Sequence, residues 1–156
     1  MRLEYFQMVD RIVALDAAAR VVRSICSVPR ESTVFEGHFP SYPLMPGVLL
    51  TECMAQTTGW LANALCGFTG MAILAGVKEA KFRTLVFPGD ELEFEATVLH
   101  EGSGYTIGKC KGRRQGTVVC DAQLTFRIVP YPTPQLRQAV LEWAERLQLP
   151  VKELAR

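Results

Sequence analysis

The chain has 156 residues, 49% of them hydrophobic and 21% charged, with a formal net charge of +1. That length suits one domain with a substantial core, and the near-zero charge excludes a partner held by bulk electrostatics, nucleic acid above all. Five cysteines (Cys26, Cys53, Cys66, Cys110, Cys120) in no C-x-x-C or metal-type spacing read as reduced, mostly buried small residues of a cytosolic protein.

The opening "MRLEYFQMVDR" carries Glu4 and Asp10 and lacks the apolar run of a signal peptide. "VDRIVALD" and "ARVVRSICSV" read as a pair of early strands about Asp16 to Ala18, although alanine-rich "ALDAAAR" would also suit a helix. Next comes "GHFPSYPLMPG", Gly37 to Gly47, where three prolines follow His38, one of only two histidines. Proline fixes φ and restrains its predecessor, so this loop has few conformations.

Pro46 suits a first helical position, and Gly47 to about Leu65 holds no proline, which predicts a helix. It is apolar nearly all round and should be buried. The run Val48 to Ala64 is interrupted by Thr51, Glu52, Gln56 and Asn63, a set a membrane span tolerates poorly, so a soluble cytoplasmic protein is expected. Glu52, Gln56, Gly59 and Asn63 share one helix face.

"MAILAGVKEAKFRTLVF" predicts a long strand, bulged near Gly76 and ending at the turn Pro88-Gly89-Asp90. In "DELEFEATVL" Leu92, Phe94, Ala96 and Val98 alternate with Glu91, Glu93, Glu95 and Thr97, the pattern of a half-buried strand. "YTIGKCKGRR", of weaker pattern, lies between the turns "EGSG" and "QG". "TVVCDAQLTFRIV" then presents Val118, Cys120, Ala122, Leu124, Phe126 and Ile128 on one face and completes an antiparallel meander. A last helix is expected from cap Thr133 and Pro134, with Leu136, Val140, Trp143, Ala144 and Leu147 as its apolar stripe and Pro150 ending it. The whole predicts an α+β fold, an antiparallel sheet wrapped around one long helix. Residues 1–130 form the main domain and 131–156 a C-terminal helical extension packed on it. Such a sheet leaves an edge strand and apolar surface that dimerisation would cover.

His38 is a natural general base near neutral pH. A carboxylate on an otherwise apolar helix, as at Glu52, must be protonated, paired or solvated by a site. The helix N-terminus at Gly47 exposes N–H groups with no side chain to block them, a ready donor for an enolate oxygen. Base, acid and oxyanion donor thus fall in one short segment.

The segment "FEGHFPSYPLMPGVLLTECMAQ", Phe35 to Gln56, resembles the signature of the 3-hydroxyacyl-acyl-carrier-protein dehydratases of fatty-acid synthesis. G-H-F-P, P-x-M-P-G-V-L and E-x-M-A-Q stand at matching spacing, and "KFRTLVFPGDEL", Lys81 to Leu92, resembles the family's second block. The resemblance covers roughly Tyr5 to Val129. It implies a hot-dog fold acting as a homodimer, often as a trimer of dimers, with no metal or organic cofactor. His38 would match the catalytic histidine and Glu52 the catalytic carboxylate, the two meeting from different protomers, and the Gly47 N–H would bind the thioester oxygen. Relatives that also isomerise the double bond carry Asp at the Glu52 position, so plain dehydration is implied. The expected partner is an acyl carrier protein bearing a 3-hydroxyacyl chain.

Phe39, Tyr42, Pro46, Val48, Gln56, Phe82 and Phe87 are candidates to line the acyl tunnel or orient groups within it. Lys81, Arg83, Lys109, Lys111, Arg113 and Arg114 are candidates to steer an acidic carrier. Thr84 and Leu85 depart from the second block, where a basic residue and a proline are common, and Cys53 replaces an alanine. His100, before a glycine turn, reads as a surface residue. The opening segment and the tail from Pro130 resemble a subgroup tied to a specialised carrier of very-long-chain acyl groups of lipid A. A hot-dog thioesterase and a non-catalytic acyl- or carrier-binding subunit are the competing readings.

Overall fold

The computed structural model describes residues 1–155. Its strands are β1 (Arg11–Asp16), β2 (Val21–Ser27), β3 (Met71–Phe82), β4 (Glu91–Gly102), β5 (Tyr105–Arg114) and β6 (Thr117–Val129). They form one antiparallel sheet in the order β1-β2-β4-β5-β6-β3. The long helix α2 (Gly47–Leu65) packs across this sheet, the hot-dog arrangement. Smaller helices are α1 (Thr33–Gly37), α3 (Pro134–Arg146) and α4 (Val151–Leu154).

The alternation in β4 settles which face is dry: Leu92, Phe94, Ala96 and Val98 point inward, while Glu91, Glu93 and Glu95 stay wet. The weak pattern of β5 has a steric cause. Its inward residues are Thr106, Gly108, Cys110 and Gly112, all small, because α2 lies close above Gly108 while Phe94 and Cys120 of the neighbouring strands crowd Gly112. A Cβ on Gly108 would stand 2.7 Å from Thr58 Cγ2 and 3.3 Å from the carbonyl oxygen of Thr97. Gly108→Ala is therefore expected to destabilise the fold by about 1–3 kcal/mol through overpacking. Equilibrium urea unfolding checks it: the midpoint should fall while the slope stays fixed.

Helix α2 is buried on nearly every face from Cys53 to Ala64, Gln56 excepted. Its polar groups are satisfied where they are covered. Thr57 and Thr58 hydroxyls donate to the carbonyls of Cys53 and Met54, and Ser24 meets Thr57 at 2.7 Å.

Three expectations need correction. Strand β3 carries the predicted bulge between Leu74 and Gly76, but it ends at Phe82 rather than running to Phe87. Beyond Arg83, whose N–H reaches Val119 O, the chain turns to pair with the His38 loop, where Met45 N–H donates to Val86 O. Helix α1 was not foreseen; Ser32 caps it, and Glu4 accepts from the Ser32 hydroxyl and Thr33 N–H. At the C-terminus Thr133 caps α3 as expected, but α3 ends at Arg146, Leu136 is exposed, and Pro150 instead precedes the unforeseen α4. Ala144, Leu147, Leu149 and Val151 are buried against the body, and Trp143 meets Trp60 edge-on at 5.5 Å.

All five cysteines are free; Cys26, Cys53, Cys110 and Cys120 are buried and Cys66 half-buried. Burial pushes the Cys53 and Cys110 thiols well up and Cys120 up to about 12. These groups stay protonated at pH 8 and lack the nucleophilic thiolate. Native protein treated with iodoacetamide at pH 8 should take label at Cys66 alone, and at the others only in denaturant, as read by mass spectrometry.

Candidate active site

His38 closes α1, donating its N–H to Val34 O at 3.1 Å. Its own carbonyl accepts from Leu44 N–H at 2.8 Å, and its Nδ1 lies 3.0 Å from Leu44 O. A carbonyl can only accept, so Nδ1 is the donor, and in the neutral ring Nε2 is the nitrogen that bears the lone pair. Phe39 and Tyr42 exchange backbone bonds of 3.2 and 3.0 Å, and the His38 and Phe39 rings stack at 4.3 Å. The loop is held by this bonding as much as by its prolines.

Pro46 caps α2 from outside, with ψ 137°, rather than occupying the first helical turn. Leu49 and Leu50 donate to its carbonyl, while the N–H groups of Gly47 and Val48 meet no acceptor among the described residues. The Phe82 ring lies over Gly47, 3.4 Å from where a Cβ would stand. Val48 is 75% exposed, and Phe39, Tyr42, Phe82 and Leu85 are each about half exposed. Tyr42 meets Phe87 edge-on at 5.8 Å. These aromatic candidates thus surround the His38 and Gly47 end of the molecule.

Glu52, half-buried further along α2, accepts at Oε1 from Gln56 Nε2 at 2.8 Å. Gln56 also donates to Phe6 O and accepts from Met8 N–H at 3.0 Å. The amide therefore ties the Glu52 carboxylate to the N-terminal segment. Asn63 instead accepts from Ala72 N–H at 2.8 Å and pins the start of β3.

A cavity of about 440 Å³ follows the helix face Glu52, Gln56, Gly59 and Asn63. One wall is Met71 to Leu74 of β3, the other Val140 and Trp143 of α3, with Tyr5 and Phe6 near the mouth. None of these wall residues was a sequence candidate. Trp143 repeats at core spacing in α3, and only the fold shows that one edge of that stripe borders open space. His38 is not among the cavity's lining residues, while Glu52 is.

Two of the basic candidates are ion-paired. Arg83 pairs with Asp121 at 2.9 Å, and Arg114 with Asp90 at 2.6 Å. On the outer sheet face Lys111 stands between Glu95 and Asp121, Arg113 opposite Glu93, and Lys81 opposite Asp121. Lys109 alone faces the neutral Thr97 and Gln123. A run that is basic along the chain is a ladder of alternating charge across the strands. His100 is exposed, and no helix among the described residues is long and apolar enough to cross a membrane.

A FabA-like domain model matches residues 2–123. The 3-hydroxyacyl-acyl-carrier-protein dehydratase FabZ of Ruminiclostridium cellulolyticum is 36% identical over 122 residues, 78% of this chain and 85% of its own. That of Bacillus pumilus is 37% identical over 126 residues, 80% and 87%. Among solved structures, AziG of S. sahachiroi superposes with a TM-score of 0.65 at 14% identity, covering 83% of this chain and 96% of its own. The PaaI protein of E. coli gives 0.61 at 17% identity, covering 76% and 78%. At such identities the two structures speak for the shared fold.

Proposed function

The chain belongs to the FabA-like family, and from that membership we propose that it dehydrates (3R)-3-hydroxyacyl thioesters on acyl carrier protein to trans-2-enoyl thioesters in fatty-acid biosynthesis. The observation that carries the reading is the pairing of a tautomer-fixed His38 with unpartnered N–H groups at Gly47 and Val48.

His38 Nε2 takes the proton from the carbon beside the thioester carbonyl. The Gly47 N–H holds the carbonyl oxygen as negative charge develops there. Glu52, oriented by Gln56, gives a proton to the departing 3-hydroxyl, which leaves as water. The proton gained by His38 then returns the dyad to its starting state through solvent.

Each copy supplies His38 and Gly47 to one site and Glu52 to the other. Two features support this division: His38 does not line the Glu52 cavity, and β3 is an edge strand with Ile73, Leu74 and Val77 exposed. The setting is the cytoplasm, where five unpaired thiols stay reduced. The finer reading, a carrier of very-long-chain acyl groups for lipid A, is favoured by one observation. The N-terminal segment and the C-terminal tail that suggested it both line the Glu52 cavity.

The test is incubation with (3R)-3-hydroxyacyl chains on acyl carrier protein. The reading expects enoyl absorbance without free thiol. Thiol release without enoyl product would make the protein a thioesterase, and saturable binding without turnover a binding subunit.

A further inference from the structure

We propose that α3 gauges the length of the acyl chain: the alkyl tail of the substrate lies in the Glu52 cavity, and Val140 and Trp143 form the wall against which its length is read. For its substrate this rests on the dehydratase reading.

The cavity is continuous with Glu52 and follows the helix face toward Asn63. Two of its polar side chains are engaged inside the protein. Gln56 bonds Glu52, Phe6 and Met8, and Asn63 Oδ1 bonds Ala72 N–H. Beyond Glu52 the lining is mainly apolar surface from Trp60, Phe126, Ile73 and Leu74, which suits an unbranched hydrocarbon. Its volume of about 440 Å³ lies in the range of small-molecule sites.

Trp60 stands eight residues beyond Glu52, about 12 Å along the helix axis. There it is braced edge-on by Trp143, itself set on a helix whose Ala144, and the Leu147 that caps it, are buried in the body. That makes the α3 side a fixed wall. The family match stops at residue 123, so Val140 and Trp143 stand outside the shared domain. The wall that reads length is thus separate from the residues that carry the chemistry.

Val140 is only half-buried, at the margin of the core, so enlarging or trimming it disturbs packing less than a change at a fully buried residue would. The chain's two tryptophans, Trp60 and Trp143, both line the cavity, so intrinsic fluorescence reports an occupant directly. The experiment compares wild type, Val140→Phe and Val140→Ala. It measures kcat/KM for hydroxyacyl-carrier substrates of graded length, and fluorescence titration with unreactive acyl-pantetheine amides of the same lengths. For Val140→Phe the ratio of long- to short-chain values should fall about tenfold or more, and for Val140→Ala it should rise. A length profile that does not move in either variant overturns the proposal. So does a change in self-association with an unmoved profile, which would assign the cavity to a second copy of the chain. If nothing is dehydrated but the binding profile shifts as described, the length gauge stands and the dehydratase reading falls.

Discussion

Replacing His38 with alanine is expected to lower kcat for dehydration by about 10²–10⁴-fold, the typical contribution of a positioned general base. In the proposed mechanism the ring does two separate things. Nδ1–H donates to Leu44 O at 3.0 Å, which is structural, and Nε2 is left to accept a proton, which is chemical. The alanine variant removes both. His38→Asn keeps a short donor for Leu44 O and removes only the base, so it should be as inactive as His38→Ala. Recovery of activity in the asparagine variant would mean that His38 merely holds the loop. Thermal melting alongside the kinetics separates the two cases.

The second large effect is expected at Glu52. Glu52→Gln keeps the volume and polarity of the side chain but has no proton to give to the departing hydroxyl. We expect kcat to fall by about 10²–10⁴-fold with KM little changed, the sign of an interaction made mainly in the transition state. The amide of Gln56 would still meet an acceptor, now the side-chain carbonyl of the new glutamine, so the N-terminal segment stays attached through Phe6 and Met8. Steady-state kinetics on a single hydroxyacyl substrate checks both parameters. A raised KM with an intact kcat would demote Glu52 to a binding residue.

Much of the fold was legible because it rests on local periodicity. The bounds of α2 follow from Pro46 and from the absence of breakers to Leu65, and β4 and β6 declare themselves by alternation. What escaped depends on long-range pairing. The five residues after Phe82 look like strand, yet only Arg83 still bonds β6; Val86 pairs with the His38 loop and Phe87 with Asp90, whose carboxylate accepts from Phe87 N–H and from Arg114. The small inward residues of β5 read as weak patterning until Thr58 of α2 is placed above Gly108.

The site divides in the same way. His38, Gly47 and Glu52 lie within a short motif and were visible as residue types with matching chemistry. The basic run at Lys109 to Arg114 was visible too, but its acidic partners sit on neighbouring strands, out of sequence reach. The role of Gln56 depended on Phe6 and Met8, some fifty residues earlier in the chain. Val140 and Trp143 border the cavity only because the C-terminal helix folds back over Trp60.

In the proposed dimer each dehydration site is built from two copies, with His38 and Gly47 from one and Glu52 from the other. Mixing His38→Ala and Glu52→Gln proteins under conditions that exchange subunits tests it most directly. Each mixed dimer would hold one site with both residues intact and one with neither. Random pairing should restore about a quarter of the wild-type dehydration rate from two inactive parents. A mixture that forms mixed dimers by native mass spectrometry, yet stays as inactive as its parents, would contradict the claim.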